Sequence, residues 1–117
     1  MAFIAGSESI LMHQTEREIT AAIRNLLKTL GIFHFKQMQG LGSTPGCPDI
    51  LAIIPSHIDK KKTGCFLGIE VKTEKGRLSE HQKRFLDRIN EEGGIAFVAR
   101  SPDDVIEALG VNDRFLF

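Results

Sequence analysis

The stretch GIEVK at residues 68–72 decides the architecture predicted for this chain. Read as a β-strand with the preceding Leu67, it places Leu67, Ile69 and Val71 on one face. Glu70 and Lys72 then share the other face, so a carboxylate and an ammonium group stand side by side on a strand whose back packs against a core. A salt bridge on a solvated sheet face explains such a pair by itself. A functional interpretation therefore needs support from the rest of the chain.

The segments on either side of this strand predict an α/β fold of order α-β-β-β-α-β-α. Apolar positions recur with helical or strand periods, and glycines, prolines and N-capping residues separate the segments. The predicted elements are a helix over 13–30, strands over 32–39, 50–54 and 64–72, a helix capped by Ser79 and stopped by Gly93, a strand over 95–99, and a helix after Ser101. The apolar run at 50–54 suggests a strand covered on both faces. The polar, lysine-rich residues 55–63 are predicted to be a connection.

Length and composition set the class of protein. The 117 residues suit one domain, expected to span 1–117 with its core at about 13–109. No apolar run approaches the roughly 18 residues of a membrane span, and the first residues lack the basic start of a signal peptide. We therefore expect an intracellular, cytoplasmic protein without a membrane partner. Cys47 and Cys65 are too few and too far apart to suggest a metal or redox motif.

Charge is distributed unevenly although the net charge is zero. Residues 57–84 carry eight lysines and arginines against four acids, whereas residues 85–117 carry three against seven. The basic half surrounds the GIEVK strand, which favours a polyanionic partner at that side of the molecule. The run of three lysines at 60–62 is more often typical of a solvated loop than of a phosphate contact.

Three carboxylates are predicted to approach Lys72. Asp49 stands at the mouth of the apolar strand, and Glu70 lies on the next strand. Glu16 lies about 50° from the centre of the apolar stripe of the first helix, at about 100° per residue, which predicts an inward side chain. A favourable interaction with the helix dipole is the alternative explanation for Glu16. Carboxylates brought together repel one another unless a hard cation such as Mg²⁺ lies between them, so the pattern favours a divalent metal site.

These residues carry a family resemblance. The segments GCPDILA at 46–52, EVKTEKG at 70–76 and LSEHQ at 78–82 resemble the VRR-NUC branch of the PD-(D/E)xK nuclease superfamily. The segment TEREI at 15–19 is similar to the glutamate-bearing helix of archaeal Holliday-junction resolvases. The resemblance covers residues 13–109 and implies a restriction-endonuclease-like mixed sheet flanked by helices.

The resemblance also implies a Mg²⁺- or Mn²⁺-dependent DNA endonuclease. Asp49, Glu70 and the backbone carbonyl of Val71 would be metal ligands, and Glu16 would bind a second metal or its water shell. Lys72 would position or deprotonate the attacking water. Gln82 matches a glutamine of the family motif, although its place three residues after Ser79 is explained equally well by a capping box.

The expected substrate is a four-way (Holliday) junction or related branched DNA, cut by a homodimer whose two sites act on two strands. A flap or nonspecific nuclease and a catalytically silent DNA-binding module with the same fold remain alternatives. The basic residues expected to contact DNA are Lys60, Lys61, Lys62, Lys75, Arg77 and Lys83.

Overall fold

A computed structural model of the chain describes residues 14–38, 40, 42–58 and 61–110. Its elements follow the predicted order α-β-β-β-α-β-α. They are α1 (Glu16–Thr29), β1 (Phe33–Lys36), β2 (Ile50–Ile58), β3 (Lys61–Val71), α2 (Glu80–Glu91), β4 (Ile95–Ala99) and α3 (Pro102–Gly110). None of the helices in these ranges is long and apolar enough to cross a membrane.

The four strands form one mixed sheet in the order β1-β2-β3-β4. The β1–β2 and β2–β3 pairs are antiparallel, and the β3–β4 pair is parallel. The parallel pair requires a crossover, which α2 provides between β3 and β4. The predicted fold class, a mixed sheet flanked by helices, is confirmed.

The core lies between one face of the sheet and the helices α1 and α3. Alternate residues of the strands point to this core face, as their period of two requires. The buried side chains that form it include Ile19, Ile23, Leu27, Ile50, Ala52, Ile54, Leu67, Ile69, Val71, Val105 and Leu109. The prediction that Leu67, Ile69 and Val71 form the buried side of the GIEVK strand is therefore confirmed.

Local capping determines where α1 begins and ends. Thr15 and Glu18 form a capping box, in which the Thr15 side chain accepts from the Glu18 N–H and the Glu18 side chain accepts from the Thr15 N–H. The helix therefore starts at Glu16, and the predicted start at His13 lies outside the described residues. At the other end, Gly31 has a φ of +73° and Ile32 N–H bonds to Leu27 O, which closes the helix in a Schellman motif.

Two predictions about the strands are wrong. Residues 55–63 do not form a simple connection, because β2 continues to Ile58 and β3 begins at Lys61, with these two residues paired. The β2 strand is also not covered on both faces, since Ile53 is 47% exposed. The antiparallel ladder needs only backbone groups, so it extends beyond the part of the sheet whose side chains are buried.

Candidate active site

Glu70 is the central residue of the candidate site. It lies near the end of β3 on the face opposite the core, and only 2% of its surface is exposed. Its Oε2 accepts a hydrogen bond from Gln82 Nε2 at 3.0 Å. Its Oε1 is buried and finds no hydrogen-bond donor among the described residues. A buried carboxylate oxygen without a donor is costly, so this position calls for a proton or a cation.

Asp49 reaches the same place from the neighbouring strand. The β2–β3 ladder pairs Ile50 with Ile69, and continuing the register by one residue puts Asp49 opposite Glu70. The Asp49 Oδ2 accepts a hydrogen bond from the Val71 N–H at 2.8 Å, which orients the carboxylate against the end of β3. The two acids are 21 residues apart in the sequence because the paired strands β2 and β3 and the residues between them lie between Asp49 and Glu70.

The pKa of Glu70 is raised from 4.5 to about 8. Burial is the largest cause, followed by the negative charge of Asp49 and a hydrogen bond between the two carboxyl groups. Since two carboxylates can only accept, that hydrogen bond forms when one of them carries the proton. Lys72 acts in the opposite direction and lowers the pKa of Glu70, but it does not outweigh burial. At neutral pH the pair therefore holds a proton that a cation would displace.

Lys72 stands beside Glu70 as the strand alternation predicted. Its Nζ lies 3.7 Å from Glu70 Oε2, and its side chain is 12% exposed. Its backbone N–H donates to Ala99 O at 3.1 Å, just past the end of β3. The ammonium group is thus anchored near the carboxylate pair while part of it reaches solvent.

Gln82 has both of the roles that the sequence left open. Its Oε1 accepts from the Ser79 N–H at 2.9 Å, and the Ser79 hydroxyl accepts from the Gln82 N–H at 3.1 Å, which completes a capping box at the start of α2. The amide nitrogen of the same side chain donates to Glu70. One side chain therefore couples the helix terminus to the buried carboxylate.

Glu16 does not point into the interior. It is exposed at the first position of α1, so the inward orientation predicted from the helical wheel is wrong. Its negative charge still contributes, as the smallest cause, to the raised pKa of Glu70. Within the described part of the chain, no group of three or more histidine, cysteine, aspartate and glutamate side chains could hold a metal ion. Asp49 and Glu70 thus form a pair of carboxylates and not part of a larger cluster, and a metal at this pair, like a role for Glu16, remains a prediction.

The basic residues predicted to bind DNA are separated in space. Lys75 and Arg77 are exposed in the loop that follows Lys72, and Lys83 is exposed on α2. Lys61 and Lys62 are exposed at the start of β3, about 25–30 Å from Glu70 at roughly 3.3 Å per strand residue. Lys60 lies outside the described residues.

Arg100 is a residue that sequence reasoning missed. Its Nη1 donates to the carbonyl oxygens of Thr73, Glu74 and Gly76 at 2.5, 3.2 and 2.8 Å. These three carbonyls belong to the loop that directly follows Lys72. An arginine after a short strand carries no sequence signal for this contact, because the donor and the acceptors are 24–27 residues apart.

A close approach of backbones positions Asp49. Gly46 has a φ of +82°, and a Cβ at this position would meet the His81 carbonyl oxygen in the first turn of α2. Only glycine allows the loop before Asp49 to pack this closely against the helix that carries Gln82. Cys47 lies in the same loop, and burial together with the charges of Glu70 and Asp49 raises the pKa of its thiol. The thiol thus stays protonated at neutral pH, which disfavours it as a metal ligand.

Comparison with known proteins places this geometry in a family. The model of the VRR-NUC domain matches residues 6–103. A solved structure titled "VRR_NUC domain" is 26% identical, with a TM-score of 0.63, and the match covers 82% of this chain and 95% of the other. A second solved structure, titled "VRR_NUC domain protein", shows the same fold at 23% identity and a TM-score of 0.63, over 83% of this chain and 86% of the other. No curated protein matches significantly.

Proposed function

The chain belongs to the VRR-NUC domain family, and from that premise we propose that it is a metal-dependent, structure-selective DNA endonuclease acting on four-way junctions. The family has a nuclease-type fold and belongs to the PD-(D/E)xK superfamily. One observation carries the proposal furthest. Glu70 is buried opposite Asp49 with an oxygen that lacks a donor among the described residues and with a pKa raised to about 8. The ionised form of a carboxylate in that position is costly to the fold, and a bound cation would compensate its charge.

The donor set suits Mg²⁺ or Mn²⁺. Both are hard cations that prefer oxygen ligands, and Mg²⁺ commonly takes one or two protein carboxylates together with water and substrate phosphate oxygens. Asp49 and Glu70 supply the two carboxylates, and the backbone carbonyl of Val71 is the proposed third protein ligand. The Cys47 thiol, in the loop before Asp49, is a poorer ligand than these oxygens, because burial and the charges of Glu70 and Asp49 raise its pKa. When bound, the cation supplies Lewis-acid stabilisation of negative charge on the phosphodiester.

Lys72, Gln82 and Glu16 have separate roles in the proposed reaction. Lys72, with its Nζ 3.7 Å from Glu70, positions the water that attacks phosphorus and takes part in its deprotonation. Gln82 holds the Glu70 carboxylate by a hydrogen bond of 3.0 Å and prevents it from turning away from Asp49. Glu16, exposed nearby, contributes negative charge that would hold a second metal or its water shell.

The distribution of basic side chains supports DNA as the partner. Lys75, Arg77 and Lys83 are exposed on the loop and helix that adjoin Glu70 and Lys72. Lys61 and Lys62 extend along the β2–β3 hairpin, and a second duplex arm of a branched substrate would reach them. Contacts of this kind bind phosphates and recognise shape rather than base sequence. Symmetric cutting of a junction requires two sites, for which we propose a homodimer.

The proposal is tested with labelled four-way junctions, flaps and linear duplexes incubated with Mg²⁺, Mn²⁺ or EDTA. We expect cleavage of the junction in either metal and none in EDTA. The Lys72→Ala variant should bind the junction but cut it at least about a hundredfold more slowly, because loss of a proton-transfer or positioning group typically costs that much. Lys28→Ala, which removes an exposed lysine from the last turn of α1, is the matched control and should cut normally.

Two outcomes contradict the proposal. Binding of the junction without cleavage in either metal would indicate a catalytically silent DNA-binding module. Equal rates on junctions, flaps and linear duplexes would leave a nuclease but remove its selectivity for branched DNA.

A further inference from the structure

The chain after Lys72 turns back onto the Lys72 side chain. The Gly76 N–H donates to the Thr73 carbonyl oxygen at 3.1 Å, which closes a β-turn over residues 73–76. A Cβ placed on Gly76 would lie 3.3 Å from both Cβ and Cδ of Lys72. The backbone of Gly76 therefore borders the alkyl stem of the lysine, and this position has room for a hydrogen but little room for a methyl group.

Arg100 binds the backbone of the same turn. The carbonyl oxygens of Thr73, Glu74 and Gly76 all accept from Nη1 of its half-buried side chain. Carbonyl dipoles that converge on one point repel one another, and a guanidinium nitrogen at that point compensates them with charge-assisted hydrogen bonds. The conformation of turn 73–76 therefore depends on a residue that lies far from it in the sequence.

The backbone around Arg100 is anchored to both β3 and α3. Just before it in the chain, the Ala99 carbonyl oxygen accepts from the Lys72 N–H at 3.1 Å. The N–H of Arg100 itself donates to Asp104 Oδ2 at 2.8 Å. The Asp104 N–H in turn donates to the Ser101 hydroxyl at 3.3 Å, at the start of α3. The position from which the Arg100 side chain reaches the turn is therefore fixed.

The side chain of Lys72 gains from such support. A lysine carries its charge at the end of a flexible stem of four carbons, so the direction of the strand alone does not fix the position of Nζ. The distance of 3.7 Å between Nζ and Glu70 Oε2 is longer than a direct hydrogen bond and restrains the stem weakly. Packing of the Gly76 backbone along Cβ and Cδ restricts the rotamers of the stem more directly.

We propose that Arg100 is a positioning residue for Lys72. It holds turn 73–76 against the lysine stem, and the turn keeps Nζ beside Glu70, where the attacking water is oriented. The proposal rests on the proposed function, because that function assigns the role of Lys72. Groups that act on the reacting atoms are most effective when surrounding contacts lock their rotamers. A purely structural Arg100 would only stabilise the connection between β3 and α2, and its loss would affect the reaction independently of Lys72.

A double-mutant cycle tests whether Arg100 acts through Lys72. Single-turnover cleavage of the four-way junction with Mn²⁺ is measured for the wild type, Arg100→Met, Lys72→Ala and the double variant. Arg100→Met should cut several-fold more slowly than the wild type, and it should cause no further slowing when it is combined with Lys72→Ala. Arg88→Met is the matched control, since the Arg88 side chain is 72% exposed on α2, and this variant should cut normally.

A second measurement, made without DNA or metal, does not depend on cleavage. NMR relaxation of the lysine ¹³Cε groups should show a lower order parameter for Lys72 in Arg100→Met than in the wild type, and an unchanged one for the exposed Lys83. Gly76→Ala is a second variant that retains Arg100 and crowds the Lys72 stem with a Cβ, so it should slow cleavage only when Lys72 is present. Circular dichroism and thermal melting must show that each variant is folded.

Two results overturn the proposal. If Arg100→Met slows cleavage by the same factor with and without Lys72→Ala, Arg100 acts independently of the lysine. If the order parameter of Lys72 is the same in Arg100→Met and in the wild type, the turn does not hold the lysine stem. A wild-type protein that does not cut the junction refutes the proposed nuclease activity, and the relaxation measurement then decides by itself whether Arg100 positions Lys72.

Discussion

Replacing Gln82 separates the two roles of that side chain. Gln82→Ala removes the hydrogen bond that caps α2 and the one donated to Glu70 Oε2. The chain offers a matched control, because Thr15 and Glu18 form a capping box of the same kind on α1. Glu18→Ala removes an equivalent cap, and Glu18 is hydrogen-bonded to Thr15 rather than to Glu70.

The magnitudes follow from the kind of bond lost. The cap bond is neutral and exposed, so its loss lowers the free energy of unfolding by about 0.5–1 kcal/mol. The bond to Glu70 is made to a charged group once Glu70 is deprotonated, and such bonds contribute about 1.5–3 kcal/mol. Because a metal binds the deprotonated carboxylate, Gln82→Ala should weaken divalent metal binding by about 10- to 150-fold.

Two assays distinguish these effects. Urea unfolding in EDTA at pH 6 should show a loss of about 0.5–1 kcal/mol in Glu18→Ala and a loss larger by about 1–3 kcal/mol in Gln82→Ala, which also leaves a buried oxygen of Glu70 without its donor. Calorimetric titration with Mn²⁺ at pH 8 should show weaker binding in Gln82→Ala and unchanged binding in Glu18→Ala. If Gln82→Ala binds Mn²⁺ as tightly as the wild type, Gln82 acts only as a helix cap. If both variants lose the same Mn²⁺ affinity, the loss comes from general destabilisation of the fold.

The burial of Glu70, the close packing at Gly46 and the contacts of Arg100 can each be tested by substitution. In metal-free protein, Glu70→Gln should raise the free energy of unfolding at pH 9 and leave it nearly unchanged at pH 4. The pKa of Glu70 is about 8 in the folded protein and 4.5 in the unfolded chain, so the stability that protonated Glu70 contributes is fully present below pH 4.5 and is lost as pH rises through 8, by at most about 5 kcal/mol. Urea melts that show the same difference between variant and wild type at both pH values would contradict this. Gly46→Ala should cost at least about 2 kcal/mol more than Gly42→Ala in the same melts, because both glycines have positive φ but only at Gly46 would a Cβ meet the backbone of α2. Arg100→Met should speed amide hydrogen exchange in the loop after β3, because the guanidinium is hydrogen-bonded to three carbonyls of that loop. The same variant should cleave the junction several-fold more slowly, with Mn²⁺ affinity unchanged. Unchanged exchange would show that the loop is ordered without Arg100.

Much of the fold was predictable because its signals are local. The strand at Ile95–Ala99, the capping box of Ser79 and Gln82, and the alternation of Leu67, Ile69 and Val71 all agree with the structure. The segment 55–63 was not predictable in this way. Its strands are paired by backbone hydrogen bonds, and the side chains of Lys61, Lys62 and Thr63 are exposed, so they show no buried period.

In the candidate site, too, the features that depend on neighbouring strands were predictable and those that depend on distant elements were not. The pairing of Asp49 with Glu70 was accessible because two strands of a hairpin bring residues at a fixed separation together. The exposure of Glu16 was not accessible, since a helical wheel gives the direction of a side chain without telling whether another element covers that end of the helix. The contacts of Arg100 and the exposure of Phe33 and Phe66 depend on how distant elements meet.

Local signals in the sequence predicted the order of elements, the core face of the sheet, and the meeting of Asp49, Glu70 and Lys72 at the end of β3. Those features depend on backbone periods and on neighbours within one hairpin. The packing of the whole chain was needed to show that Glu70 is buried with its pKa raised to about 8, that Gln82 joins a helix cap to that carboxylate, and that Phe33 and Phe66 face solvent. Burial and desolvation depend on which surfaces the helices cover, and that is a property of the packed chain rather than of any segment within it.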